Sequence, residues 1–250
     1  MTLLNYPYPN LIAHRGAGHH APENTLAAFR YGAQHGYTMF ECDVKLSKDK
    51  QLFLLHDDTL DRTTNGQGSP KQQAWADLSC LDAGGWHSSL FTGESLARLD
   101  NIMQFILHNR YQLDIELKAN PGEEYETGKA CVTLLEQHYP FTAQSHYPFL
   151  LSSFSPLALQ AAFDHQIDIP RALLLHQWHD NTFDLLEQLD CRGLITNYQI
   201  ISKSIVEQCH QQGRFVMVYT VNDAASVAQM YDYGVDSVIT DNMKLMQSHC

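Results

Sequence analysis

The sequence predicts an α/β fold, a (β/α)8 TIM barrel, on three observations. Eight short, apolar, β-rich runs alternate with helix-length amphipathic stretches, the pattern of a parallel sheet wrapped by helices. A chain of 250 residues is the size at which about eight βα units close into a single barrel. Ionisable residues also gather at the C-terminal ends of several runs, where such barrels carry their chemistry.

The runs are Leu11–His14, Met39–Val44, Leu113–Leu117, Phe149–Ser153, Ala172–Leu175, Gly193–Thr196, Phe215–Val221 and Ser237–Thr240. Between them, Asn24–His35, Glu123–His138, Pro156–His165, Asn181–Leu189, Lys203–Gln212 and Asp223–Tyr233 repeat apolar residues at helical spacing. Gly36, Gly213 and Gly234 follow three of these stretches, where helix C-caps are expected. One further run, Gln51–His56, begins after only Ser47–Lys50. A parallel partner needs a crossover of about a dozen residues, so this run is expected to return as an antiparallel hairpin. Residues 57–110 then form too long a connection for a simple βα loop. Their polar "RTTNGQGSPKQQ" and Gly-rich "DAGGWHSSLFTGE" predict a small insertion over the barrel mouth, within one domain spanning 1–250.

The net charge of −12 argues against a nucleic-acid partner, which would call for a basic footprint. It also means that an anionic substrate must be held by local cations or a metal, because the overall field repels it. "MTLLNYPYPN" lacks the basic and apolar regions of a signal peptide. No apolar run approaches the roughly 18 residues of a membrane span. The six cysteines show no CxxC spacing and read as reduced thiols, which favours a cytoplasmic address.

Strand ends bring the chemistry together. The first offers His14 and Arg15, the second Glu41 and Asp43, the hairpin His56 and Asp57, and the third Glu116 and Lys118. Period-two alternation places Glu41 with Asp43, and Glu116 with Lys118, on one face of their strands. Carboxylates facing into a barrel are costly unless neutralised, and a bound cation neutralises them most simply. Three carboxylates from neighbouring strands make a hard, oxygen-rich set suited to one divalent cation, Mg²⁺ or Ca²⁺. His14 and His56 are placed for acid/base work, though either can also ligate a metal. Arg15 offers a fork for phosphate oxygens and Lys118 a point charge. Metal, two cations and two histidines together describe phosphoryl-ester chemistry.

With these pieces the chain resembles the glycerophosphodiester phosphodiesterases. The matching motifs are "AHRG" (13–16), "PENT" (22–25), "ECDV" (41–44), "HD" (56–57), "IELK" (115–118), "SSF" (152–154), "YTVN" (219–222) and "ITD" (239–241), in family order along nearly the whole chain. The resemblance implies a TIM-barrel hydrolase of the cytosolic bacterial type, acting in glycerol and lipid metabolism. Its substrate would be a small glycerophosphodiester such as glycerophosphocholine or glycerophosphoethanolamine. The products would be sn-glycerol 3-phosphate and an alcohol, formed through a cyclic phosphate. It implies His14 and His56 as acid and base, in either order, Glu41, Asp43 and Glu116 as metal ligands, and Arg15 and Lys118 on the phosphate. Two departures stand out: Tyr219 replaces the family's usual Trp, and "SLARLD" (95–100) keeps only part of "IPTLEE".

Other residues have competing readings. Asn24 or Thr25 can cap the following helix, while Glu23 can orient substrate. Phe154, Tyr219 and Trp178 are core or mouth aromatics that can touch substrate. Asn222 and Asp241 read as residues that orient or close the barrel end. Most of the 14 histidines, His19 and His20 among them, are solvated or loop residues. Two other functions fit the same cluster: a barrel that binds a phosphorylated metabolite without turnover, and a phospholipase acting on intact lipid. The second needs exposed apolar or basic elements, which the acidic chain does not display, so no stable membrane association is expected. The number of copies in the assembly is left open, a homodimer included.

Overall fold

The computed structural model describes residues 6–138, 148–165 and 168–248. Its strands, in chain order, are β1 (Leu11–Ala13), β2 (Met39–Leu46), β3 (Leu52–Leu54), β4 (Gln112–Leu117), β5 (Phe149–Ser153), β6 (Arg171–Leu175), β7 (Gly193–Asn197), β8 (Phe215–Tyr219) and β9 (Ser237–Thr240). All except β3 pair in parallel, and β1 bonds both β2 and β9, so eight strands close into a barrel. The TIM-barrel expectation therefore holds. β3 is the antiparallel hairpin partner of β2, with Lys45 opposite Phe53.

The helices are α1 (Leu26–Gln34), α2 (Trp75–Leu78), α3 (Leu99–Asn109), α4 (Glu124–His138), α5 (Pro156–Asp164), α6 (Thr182–Gln188), α7 (Lys203–Gln211) and α8 (Ala224–Asp232). Thr25 caps α1 by accepting the Ala28 N–H, and Asp223 caps α8 by accepting that of Ser226. Alternation along each strand splits the interior in two. Outward residues such as Phe40, Cys42, Leu113, Ile115 and Val216 pack against the helices in the larger core. Inward residues at the N-terminal end, including Met39, Leu150, Phe215 and Met217, fill the barrel together with Tyr8. The C-terminal half of the barrel is lined instead by polar and charged side chains.

Within 57–110, the last part is a barrel helix. Leu99, Ile102, Met103 and Ile106 give α3 a buried stripe at helical spacing. The preceding residues fold around a separate apolar cluster in which Leu60, Leu78, Ala83 and Leu96 pack on Phe53 and Leu55. The chain returns along the open edge of β3, where the Leu54 N–H donates to the Ala97 carbonyl.

Among the described residues, no helix is long and apolar enough to cross a membrane. Cys42, Cys80, Cys131, Cys191 and Cys209 are free thiols, and Cys250 lies outside the described residues.

Candidate active site

The site is built from residues at the C-terminal ends of the strands. Glu41, Asp43 and Lys45 are successive inward positions of β2, and Asp114 and Glu116 are those of β4. The register sets Asp43 beside Glu116, because β2 and β4 pair in parallel there. Ligand-capable oxygens of Glu41, Asp43 and Glu116 all lie within 4.8 Å of one another, and all three residues are buried. The Glu41 Oε1 is buried with no hydrogen-bond partner. An all-oxygen trio with such an orphaned lone pair fits a hard divalent cation.

Their protonation shows the cost of holding these charges together. Burial, then the nearby charge of Asp43, raises the Glu41 carboxyl well above its ordinary value. The same two causes push Glu116 up to about 7. Burial first, and then the charges of Glu116 and Asp43, push Asp114, deeper in the barrel, up to about 8. Asp43 goes the other way: burial opposes ionisation, but Arg15, His56 and Lys118 outweigh it and bring the group to about 2. Asp43 is therefore the permanent anion of the trio, and its neighbours share a deficit of positive charge.

Arg15 is held from several sides. It adopts a left-handed backbone at φ 50°, a conformation that costs about 1 kcal/mol or more when a side chain is present. That geometry aims its N–H at Glu41 Oε2, 3.0 Å away. Its Nη1 donates to Glu23 Oε1 at 2.8 Å, and its Nε lies 3.2 Å from Asp43 Oδ2. Glu23 thus sits behind Arg15. Lys118 Nζ lies 2.9 Å from Glu116 Oε1 and 3.9 Å from Asp43 Oδ1.

Each of the two histidines has a carboxylate at Nδ1. His14 Nδ1 is 2.6 Å from Asp241 Oδ1, and His56 Nδ1 is 2.7 Å from Asp57 Oδ1. A carboxylate accepts only, so each ring carries a proton on Nδ1 and turns Nε2 to a substrate. His14 Nε2 reaches to 3.7 Å from Glu41 Oε2. Both rings, with Arg15, Glu41, Glu116 and Lys118, line one cavity of about 290 Å³. Phe154, His176 and Tyr219 also stand in its wall, and the Phe154 and Tyr219 rings meet edge to face at 6.0 Å. A larger groove of about 420 Å³ beside the β2–β3 hairpin, near Lys50, Arg98 and Lys129, contains no comparable acid/base cluster.

Comparison with known proteins decides what this cavity belongs to. The family model for the glycerophosphoryl diester phosphodiesterase family matches residues 14–245. The chain belongs to that family. It is accordingly a phosphodiesterase, a hydrolase of phosphoric diesters. A glycerophosphodiester phosphodiesterase of Caldanaerobacter subterraneus subsp. tengcongensis is 31% identical over 237 residues, 93% of each chain. An enzyme of the same name from Bacillus subtilis is 28% identical over 245 residues, 92% of this chain and 82% of its own. An Oleispira antarctica phosphodiesterase, solved in complex with the product sn-glycerol-3-phosphate, superposes with a TM-score of 0.90 at 35% identity, covering 96% of each chain.

Against this glycerophosphodiesterase background, the structure gathers ten sequence-expected residues in or directly behind one cavity: His14, His56, Arg15, Lys118, Glu23, Phe154, Tyr219, Glu41, Asp43 and Glu116. Trp178 stays outside, packed on Phe183. Tyr219, at the family's usual Trp position, donates its hydroxyl to the Leu175 carbonyl at 3.0 Å, which fixes the ring as part of the wall. Asn24 does not cap α1. It clasps Asp43, donating to Oδ2 at 2.8 Å and accepting the Asp43 N–H at 3.1 Å.

Further residues complete the site. Lys45 is buried, with its Nζ 2.9 Å from the Lys118 carbonyl and 3.3 Å from Asp58. His176 enters at the end of β6. Asp241 is also more than a closing residue, since it accepts from His14 while Asn222 Nδ2 donates to its other oxygen at 3.1 Å.

Gly18 permits this arrangement. It has φ 53°, and a Cβ there would meet the Asp241 Cα at 2.1 Å and its carbonyl oxygen at 2.3 Å. Because the obstacle is backbone, it cannot rotate away. Gly18→Ala is expected to destabilise the fold by about 1–3 kcal/mol and to lower kcat by displacing Asp241 from His14. Thermal melting and steady-state kinetics together check this, and an unchanged variant on both counts would exclude the close approach.

Proposed function

We propose that this phosphodiesterase hydrolyses small glycerophosphodiesters, such as glycerophosphocholine or glycerophosphoethanolamine, to sn-glycerol 3-phosphate and the free alcohol. The observation that carries the reading is convergence. A carboxylate trio, two carboxylate-oriented histidines and two fixed cations face one cavity sized for a small molecule. The Oleispira relative's complex with sn-glycerol-3-phosphate supports the product assignment.

Glu41, Asp43 and Glu116 would hold one Mg²⁺ or Ca²⁺. When bound, such an ion would supply positive charge to a phosphoryl oxygen and to a glycerol hydroxyl, making the hydroxyl easier to deprotonate. Arg15 and Lys118 bind the remaining phosphate oxygens and stabilise the charge that builds in the transition state. Burial lowers the pKa of His56, so its ring is neutral near pH 7 and its Nε2 takes the proton from the attacking glycerol hydroxyl. A new P–O bond closes a cyclic phosphate as the bond to the leaving alcohol breaks. His14, held at Nδ1 by Asp241, acts as the acid: it carries a second proton on Nε2 and gives it to that alcohol. Water then opens the ring with the two histidines exchanging roles. Phe154 and Tyr219 wall the cavity and limit water around the phosphate.

We further propose a cytoplasmic location, consistent with the free thiols of the five cysteines among the described residues. A net charge of −12 disfavours stable association with anionic membranes.

The test is incubation of the metal-supplied enzyme with glycerophosphocholine and identification of the products. Glycerol 3-phosphate and choline support the reading, whereas phosphocholine and glycerol, or cleavage confined to intact lipid in liposomes, contradict it. The same assay has a predicted pH profile. A base works only when unprotonated, so kcat/KM rises with pH through the pKa of His56. Because burial lowers that pKa, the acidic limb is expected to have its midpoint below the roughly 6.5 of free imidazole. A midpoint above that value would remove His56 from the role of base.

A further inference from the structure

The residues before α3 contribute a cation that the proposed reaction does not employ. Arg62 lies on a turn whose base is fixed twice: the Thr64 N–H and hydroxyl both donate to the Leu60 carbonyl, at 3.1 and 2.7 Å. Leu60 itself is fully buried in the small apolar cluster with Phe53, Leu78 and Leu96. That cluster therefore sets where the turn, and so Arg62, stands relative to the barrel mouth.

From this turn the guanidinium grips two carboxylates. Its Nε and Nη2 donate to Asp57 at 2.6 and 2.9 Å. Its Nη1 and Nη2 donate to Glu23 at 2.7 and 2.8 Å. Each carboxylate holds one residue of the cavity. Asp57 Oδ1 accepts from His56 Nδ1 at 2.7 Å, and Glu23 Oε1 accepts from Arg15 Nη1 at 2.8 Å.

We propose that Arg62 is a positioning residue that fixes the His56 ring and the Arg15 guanidinium as one unit, through Asp57 and Glu23. The inference rests on the reaction proposed above, in which those two groups act on substrate. Two neighbouring carboxylates would repel each other without a cation between them. Only a planar fork with five donors can bond both side-on, and a lysine ammonium cannot. The Arg62 side chain is 44% exposed, so these ion pairs add little to folding stability. Their effect lies in geometry, to which proton transfer and phosphate binding are sensitive. Removing Arg62 frees Asp57 and Glu23 to turn toward water, and the Nδ1–H tautomer of His56 loses its support.

Arg62→Ala and Arg62→Lys test this in three readouts: kinetics on glycerophosphocholine, thermal melting, and ¹⁵N signals of the His56 ring. The expected result is a loss of roughly 10- to 100-fold in kcat, the range for residues that orient site groups from behind, with little change in melting temperature. Lysine fails to restore the rate, while guanidinium ion added to Arg62→Ala restores part of it by entering the exposed gap. Wild-type kcat in the alanine variant, with an unchanged His56 tautomer, would overturn the proposal. A wild-type enzyme inert toward glycerophosphodiesters would instead sink the proposed function. In that case the ¹⁵N readout decides the positioning role alone: loss of the Nδ1–H tautomer upholds it and retention refutes it.

Discussion

Replacing His14 or His56 by alanine is expected to lower kcat by about 10²- to 10⁴-fold, the range for losing a general acid or base, with KM little changed. Neither ring holds the barrel together. His14 stands at the rim on the end of β1, and His56 follows the hairpin strand β3, with side chains 18% and 29% exposed. What each ring does is present its Nε2 to the cavity, its Nδ1–H committed to Asp241 or Asp57. Orienting partners should therefore matter less than the rings. Asp57→Asn and Asp241→Asn are expected to fall between the wild type and the alanine variants, because an amide can still accept the Nδ1–H but carries no charge. Steady-state release of glycerol 3-phosphate checks the series. Full activity in either histidine variant would sink the mechanism.

The second large effect concerns the carboxylate trio, where activity and stability are expected to move in opposite directions. Glu41→Gln should abolish metal-stimulated turnover, a loss on the order of 10³-fold or more, because a carboxylate that would ligate the cation is replaced by a neutral amide. Its amide oxygen can still accept the Arg15 N–H, so the turn after β1 stays in place. The chelated protein should at the same time become more stable. The folded-state pKa values of Glu41 and Glu116 are raised, Glu116 to about 7. A carboxyl of this kind carries no penalty below its unfolded pKa of about 4.3 and loses stability as pH rises through its folded value. Chelated wild type should therefore melt lower at pH 8 than at pH 6, and Glu41→Gln should flatten that slope. Melting curves at the two pH values decide the point. A chelated wild type more stable at pH 8 would show that the trio is not under electrostatic strain.

Such strain is the usual mark of a functional site, where residues suited to chemistry displace those suited to packing. The contrast along β2 makes this plain. Its outward residues Phe40, Cys42, Val44 and Leu46 join the main core, while its inward residues Glu41, Asp43 and Lys45 are buried and charged. Binary patterning made the outward half legible as strand and the inward acids legible as a site. Strands β5 and β9 coincide with the runs expected from sequence, and the others differ by a few terminal residues, where fraying and local hydrogen bonding set the boundary.

What could not be read depends on contacts between distant segments. Arg62 lies in a polar, Gly-rich stretch that resembles a solvated loop, and only folding brings it to Glu23, 39 residues earlier. Lys45 looks like an ordinary exposed lysine until β4 places the Lys118 carbonyl within 2.9 Å of it. The clasp of Asn24 on Asp43 is hidden because Asn before a helix has a simpler reading as a cap. α3 was obscured for another reason. Its stripe of Leu99, Ile102, Met103 and Ile106 is regular, but it follows directly on the Gly-rich segment without a side-chain cap at Arg98 to announce it.

The central claim is that Glu41, Asp43 and Glu116 hold a divalent cation where His14 and His56 act on a phosphodiester. The most direct measurement is the rate of glycerol 3-phosphate release from glycerophosphocholine by protein stripped with chelator, assayed without added metal and then with Mg²⁺ or Ca²⁺. The account predicts a rate near background in the stripped protein and recovery with at least one of the two ions, a recovery that Glu41→Gln lacks. Undiminished turnover in the stripped wild type would contradict it.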